Sequence, residues 1–225
     1  MMDKSNIKIL TPVNLVGFIL VMMAGWTDTV GIYLFLDERS SFMTGRAAKL
    51  GEYIFNGEMQ GVKAVLLVVI SFIIGACIST LITRRVGLIG GLFFTGILLI
   101  ITVFSTFKVG INIALITIPM AMGGQNAATS LTDINRTTHL TGPTTDIGIN
   151  MAKGNWNLVV FWVLRWVGFS IGVVMAFNLI HIFKSKMINF SHTLLIPATI
   201  IILTGIIQKI IFDIPLSENI SELAD

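Results

Sequence analysis

Apolar residues run along this chain in long unbroken blocks rather than in alternation. Six blocks stand out, at residues 13–36, 62–83, 86–106, 109–131, 157–180 and 193–212. A helix needs about 20 mostly apolar residues to cross the hydrocarbon core of a bilayer, and each block has about that length. Lipid offers the backbone no hydrogen-bond partners, so a crossing segment must be a helix or part of a closed barrel. Barrel strands alternate apolar and polar positions, and these blocks do not. The expected fold is all-α: a polytopic membrane protein of about six transmembrane helices.

The polar connections are unequal. Arg84-Arg85 and Phe107-Lys108 are read as tight turns, whereas 37–61 and 132–156 are long. The long connections resemble each other. One contains Phe42-Met43-Thr44-Gly45 and then Gly51, the other His139-Leu140-Thr141-Gly142 and then Gly148, a constant 97 positions apart. The same offset relates Ser71, Gly75 and Ser79 to the small residues Gly168, Gly172 and Ala176. With one residue of slippage, Asp28 pairs with Asn126 and Gly25 with Gly123. The pattern predicts a tail at 1–12, three-helix repeats at 13–106 and 109–212, and a polar acidic tail at 213–225. Three crossings per repeat is an odd number, so the second copy must enter the membrane inverted. Such repeats are common in secondary transporters, with binding sites near the midplane where the halves meet. Small-residue faces also recur in membrane bundles with no duplication, which is the plainer reading.

Composition agrees with lipid as solvent. Hydrophobic residues make up 54% of the chain and charged residues 12%, against roughly 25% charged in soluble domains. The net charge of +3 is small and no basic run carries interleaved aromatics, so nucleic acid is not an expected partner. The expected partners are the bilayer, a small solute and, through the small-residue faces, a second copy of the chain. Cys77 is the single cysteine, which excludes an intramolecular disulfide and argues against a thiolate metal site. Lys4 and Lys8 precede the first block as in a signal peptide, but the block exceeds the 7–15 residues of a signal core, so it is read as a retained first helix. Loop charges are nearly even on the two sides. They favour a cytoplasmic N-terminus only if the Thr-Gly segments dip into the membrane.

Few residues in the blocks can carry chemistry. Asp28 lies deep in the first block, where a carboxylate costs several kcal/mol unless it meets protein or water. It is either a proton or cation site or a hydrogen-bonded carboxylate that fixes packing. Arg165 precedes the small-residue face Gly168, Gly172, Ala176. It is read as the partner of Asp28, with an anion site and snorkelling as alternatives, and Trp162 and Trp166 flank it. Gln125 and Asn126 suit either a polar cavity or interhelical hydrogen bonds. Thr44-Gly45 and Thr141-Gly142 suit capped helix starts, either aimed into the bundle or lying at the interface. A Lys49–Asp146 contact across the pseudo-symmetry axis is a further expectation. Metal-ligand spacing around His139, His181 and His192 is absent, as are phosphate-loop and nucleophile-elbow motifs. No cofactor is expected.

Two stretches carry a family resemblance. One is Met120-Ala-Met-Gly-Gly-Gln-Asn-Ala-Ala followed by Arg136-Thr-Thr-His-Leu-Thr-Gly-Pro-Thr-Thr-Asp-Ile-Gly148, the other Ala24-Gly-Trp-Thr-Asp28 through Met43-Thr-Gly45. They resemble the signatures of the YoaK-like family of bacterial membrane proteins of unknown function. Arg46 and Pro143, which follow the two Thr-Gly pairs, depart from that pattern. The resemblance implies a multi-pass protein of a bacterial cytoplasmic membrane and supplies no activity. Together these readings lead to an ion-coupled secondary transporter or exporter of a small polar or charged solute. The alternatives are a non-transporting assembly or signalling subunit, or an intramembrane enzyme using Asp28, His139 and Asp146.

Overall fold

The computed structural model describes residues 11–34, 41–108 and 113–217, with the backbone alone for Phe107 and Lys108. Expectations that concern residues 1–10, the end of the first block at 35–36, the connection at 37–40, the junction 109–112 and the tail from 218 onward lie outside these described residues. The described chain forms α1 (Pro12–Leu34), α2 (Met43–Asn56), α3 (Met59–Val86), α4 (Leu88–Lys108), α5 (Ala114–Ser130), α6 (Thr141–Ala152), α7 (Trp156–Ser185) and α8 (Leu195–Ile207). A 3-10 turn, Phe190–Leu194, leads into α8, and a π-helical turn, Gln208–Phe212, closes it. Among the described residues the only β pairing is an isolated bridge between Thr132 and Leu216.

Among the described residues, five segments are long and apolar enough to cross a membrane: Pro12–Leu34, Met59–Val86, Leu88–Thr106, Trp156–Ser185 and Phe190–Phe212. The block expected at 109–131 corresponds to α5, whose 17 described residues span about 26 Å. It is not among the five. α5 is central: eleven of its residues are buried, chiefly against α3 and α4.

α3 and α7 present most of their large apolar residues outward. On α3, Leu66, Ile70, Ile73 and Ile74 are exposed, whereas Ser71, Gly75, Ser79 and Thr83 are buried. On α7 the buried face is Trp162, Arg165, Gly168, Gly172 and Ala176. Lipid tails are as apolar as leucine, so large aliphatics gain nothing by leaving them, and small residues let helix backbones approach. The larger core residues, Leu20, Met23, Leu92, Leu99, Ile118, Met122 and Ile201, come from α1, α4, α5 and α8.

Two tight crossings organise the bundle. A Cβ at Gly75 of α3 would collide with the Met120 carbonyl of α5, and one at Gly123 of α5 with the Phe72 carbonyl of α3. A Cβ at Gly172 of α7 would collide with the Met22 carbonyl of α1, and one at Gly25 of α1 with the Phe169 carbonyl of α7. The second set follows from the first by the offsets read in the sequence.

The long connections fold into short helices, α2 and α6, each turning back into a long one. α2 reaches α3 through Gly57 at φ 72°, and α6 reaches α7 through Gly154 at φ 69°. Only glycine takes that conformation without steric cost. The two turns bond alike: Glu58 N–H donates to the Tyr53 carbonyl at 2.9 Å and Asn155 N–H to the Asn150 carbonyl at 2.9 Å. The turn expected at Arg84-Arg85 falls slightly later. Both arginines complete the last turn of α3, and Gly87, at φ 87°, breaks the helix.

Candidate functional site

Asp28 lies one turn past the point where α1 crosses α7. The crossing contact, Gly25 on Phe169, falls near the middle of α7, whose 30 residues span about 45 Å. The carboxylate is therefore deep in the bundle, and it is 0% exposed. Its Oδ1 accepts the Ser41 backbone N–H at 3.0 Å and the Ser41 hydroxyl at 2.9 Å. Ser41 stands just ahead of α2, so Asp28 ties the start of that helix to α1.

The start of α6 reaches a similar depth. Trp166, about 15 Å into α7, donates its indole N–H to the Thr144 hydroxyl at 2.9 Å. Both short helices thus begin partway along the length of the long ones, with Phe42, Thr141 and Thr144 exposed there. Between their starts lies a cavity of about 680 Å³. Asp28, Ser41 and Phe42 border it on one side, and Thr138, His139 and Leu140 on another. Thr141, Thr144 and Thr145 of α6 and Trp166, Phe169, Ser170, Val173 and Val174 of α7 complete the wall. Burial, and then the nearby Arg136 cation, hold the His139 imidazole below its ordinary pKa and so toward the neutral form.

The predicted Asp28–Arg165 pair does not form. The Arg165 guanidinium donates to the Asn14 carbonyl at 3.4 Å and the Ile134 carbonyl at 3.2 Å. It occupies the space a side chain at Gly17 would fill. Gly17 and Asp28 are three turns apart on α1, about 16 Å. Arg165 is 1% exposed, so it does not snorkel. Of the flanking rings, it is Phe161 that lies under the guanidinium at 4.3 Å, and Trp162 packs edge-on against Phe161 at 4.7 Å. Arg165 thus fastens α1 and the segment after α5 to α7.

The other predicted residues divide. Thr141 lines the cavity with Asp28, whereas Thr44, Gly45, Gly142, Gln125, Asn126 and Asp146 are not among its lining residues. Gln125 donates to the Leu20 carbonyl at 2.9 Å and the Thr137 hydroxyl at 3.1 Å, an interhelical role. Asn126 keeps a buried side-chain oxygen with no hydrogen-bond partner. Helices do start at the two Thr-Gly segments, but neither threonine caps one. Phe42 and Leu140 hold the cap positions, with no side-chain cap bond at either. Lys49 pairs within its own helix, with Glu52 at 2.8 Å, not with Asp146. Cys77 is exposed on α3. Among the described residues no group of three His, Cys, Asp or Glu is placed to hold a metal ion.

Sequence reasoning missed Ser41, Thr138, Phe169 and Ser170. Ser41 and Thr138 each stand three residues before a Thr-Gly pair, the one signal that could have marked them.

A bundle of apolar helices enclosing a carboxylate-bearing cavity defines a multi-pass helical membrane protein. The chain belongs to the DUF1275 family, described as a protein of unknown function, whose family model matches residues 16–207. The YoaK-like resemblance of its motifs agrees with that membership. No curated protein and no solved structure matches the chain.

Proposed function

We propose that the chain is an ion-coupled secondary transporter or exporter of a small polar or charged solute in a bacterial cytoplasmic membrane. The reading takes it as six spans arranged in two inverted three-helix halves. The observation that carries it is the cavity bounded by the buried Asp28 and by the starts of two short helices partway along the bundle. Sites of this kind, at broken or partial helices where repeats meet, suit alternating access. The duplicated glycine crossings and the matching turns at Gly57 and Gly154 support the repeat. Asp28 is the coupling residue in this reading. Arg165 is a fastening for the wall of the site rather than a counter-charge.

The test is uptake into proteoliposomes loaded with a solute panel, at several imposed pH gradients. Asp28→Asn is expected to abolish the pH dependence of uptake. An unchanged pH profile for every transported solute overturns the assignment.

A second reading, a non-transporting assembly or signalling subunit, draws on the Asp28–Ser41 bonds, which a purely structural carboxylate would also make. Thiol labelling separates the two. With Cys77 replaced by serine, Thr141→Cys in a transporter is labelled by a membrane-impermeant maleimide from each side in turn. In a static subunit it is labelled from one side at most.

A further inference from the structure

The cavity runs on past the edge of the bundle. Three of its wall residues, Trp166, Ser170 and Val174, also line a groove on the outer face of α7, which Val167, Ile171 and Met175 complete. All six are exposed, and their steps of three and four place them on one stripe of the helix. They lie about 15–29 Å along a helix of about 45 Å. That is the middle of a segment long and apolar enough to cross a membrane. At that height an exposed apolar stripe meets lipid hydrocarbon rather than water. The route that this groove offers into the cavity therefore comes from the bilayer.

An independent observation points to a ligand at the inner end. Thr138, just ahead of α6, is 0% exposed and borders the cavity. Its hydroxyl has no hydrogen-bond partner. A buried hydroxyl left unbonded is costly, and an acceptor oxygen on a ligand would satisfy it. Asp28 is engaged by Ser41 and belongs to the wall. No arginine or lysine is among the described lining residues. A charged head thus finds no open counter-charge, whereas an uncharged acceptor finds Thr138. Between that end and the groove, Phe169 and Val173 continue the apolar wall.

From this arrangement we propose that the cavity takes an uncharged amphiphile sideways from the bilayer, with an oxygen of its head accepting from the Thr138 hydroxyl and its apolar chain lying along the α7 groove. A small water-soluble solute would leave the groove unused. A plain hydrocarbon would leave Thr138 unbonded. The volume of about 680 Å³ lies within the 300–1,000 Å³ usual for small-molecule sites. This inference rests on reading the cavity as a solute site and adds the solute's class, a polar head carried on an apolar body.

The experiment is photolabelling of the full chain in nanodiscs with a long-chain methyl ketone that carries a diazirine at the far end of its chain. Labelling is expected to saturate and, by peptide mapping, to fall on residues 166–175. Three unlabelled competitors are compared at equal membrane concentration: 2-undecanone, undecane, which lacks the acceptor, and butanone, which lacks the chain. Undecane and butanone are each expected to compete at least about tenfold more weakly than 2-undecanone. The first leaves a buried donor unbonded and the second forfeits apolar burial. Thr138→Val is expected to weaken 2-undecanone about tenfold without changing undecane, and Thr138→Ser to restore it. Ser170→Trp, which fills the junction of groove and cavity, is expected to suppress labelling with the melting curve unchanged. Undecane or butanone competing as well as 2-undecanone, or labelling that does not saturate or maps elsewhere, overturns the proposal. Gradient-driven uptake of other solutes without ketone binding sinks this inference alone. Ketone binding without transport of any solute sustains it and sinks the transporter reading.

Discussion

At the scale of single residues, burial assigns the roles. Arg165 is held by two backbone carbonyls and a ring face, with its charge wholly inside the bundle. Replacing it by methionine leaves the Asn14 and Ile134 carbonyls without their donor. That is expected to cost roughly 1–3 kcal/mol and to lower the unfolding midpoint in nanodiscs. Gly17→Val, which fills the same space from the other side, is expected to act in the same direction, and the double variant to fall short of the sum. A midpoint unchanged in Arg165→Met would refute the fastening role. His139 gives a pH signature. Its folded pKa lies below its ordinary value, and the unfolded value is about 6.5. Between the two the unfolded chain binds more protons. Stability is therefore intact above about pH 6.5 and declines as pH falls through that window. Melting curves against pH should show this decline, and His139→Gln should flatten it.

Elements meet through glycine. At Gly75 and Gly172 the neighbouring backbone carbonyl lies where a Cβ would stand, and a carbonyl within a packed helix cannot swing aside as a side chain can. Gly75→Val and Gly172→Val are each expected to destabilise the bundle by about 1–3 kcal/mol or more, the range of overpacking. Gly51 and Gly148 have open space around the position of a Cβ. There, alanine is expected to be neutral or to stabilise by up to about 1 kcal/mol by restricting the unfolded chain. Unfolding curves for the four variants separate the groups, and equal effects at all four would contradict the crossing geometry. The short helices illustrate what pattern reading can reach. The Thr-Gly positions announced helix starts because threonine and glycine favour such places, and helices begin there. The cap residues could not be read, since Phe42 and Leu140 hold those positions with no side-chain cap bond.

For the whole molecule, the inverted arrangement proposed above predicts opposite sidedness. The turns at Gly57 and Gly154 match in bonding and conformation, so under inversion they face opposite aqueous phases. In a background with Cys77 replaced by serine, Glu58→Cys and Asn155→Cys are both exposed positions. An impermeant maleimide applied to cells is expected to label one and spare the other until the membrane is permeabilised. Labelling of both from outside would end the inverted-repeat reading and leave the helical membrane fold intact.

The sequence by itself determined that this chain folds as helices in lipid, because block length and continuity of apolar residues set the solvent and the element. It also determined the 97-position echo, because packing and turn residues are local requirements that each copy states again. It marked Asp28 and Arg165 as buried, because a charge in an apolar block must find protein. Which groups those charges meet was decided only by the tertiary structure. Partner choice depends on where helices cross, and Arg165 of α7 meets α1 at Gly17, three turns away from Asp28. The cavity was hidden for the same reason, since its walls come from four separate stretches of chain that no spacing rule connects.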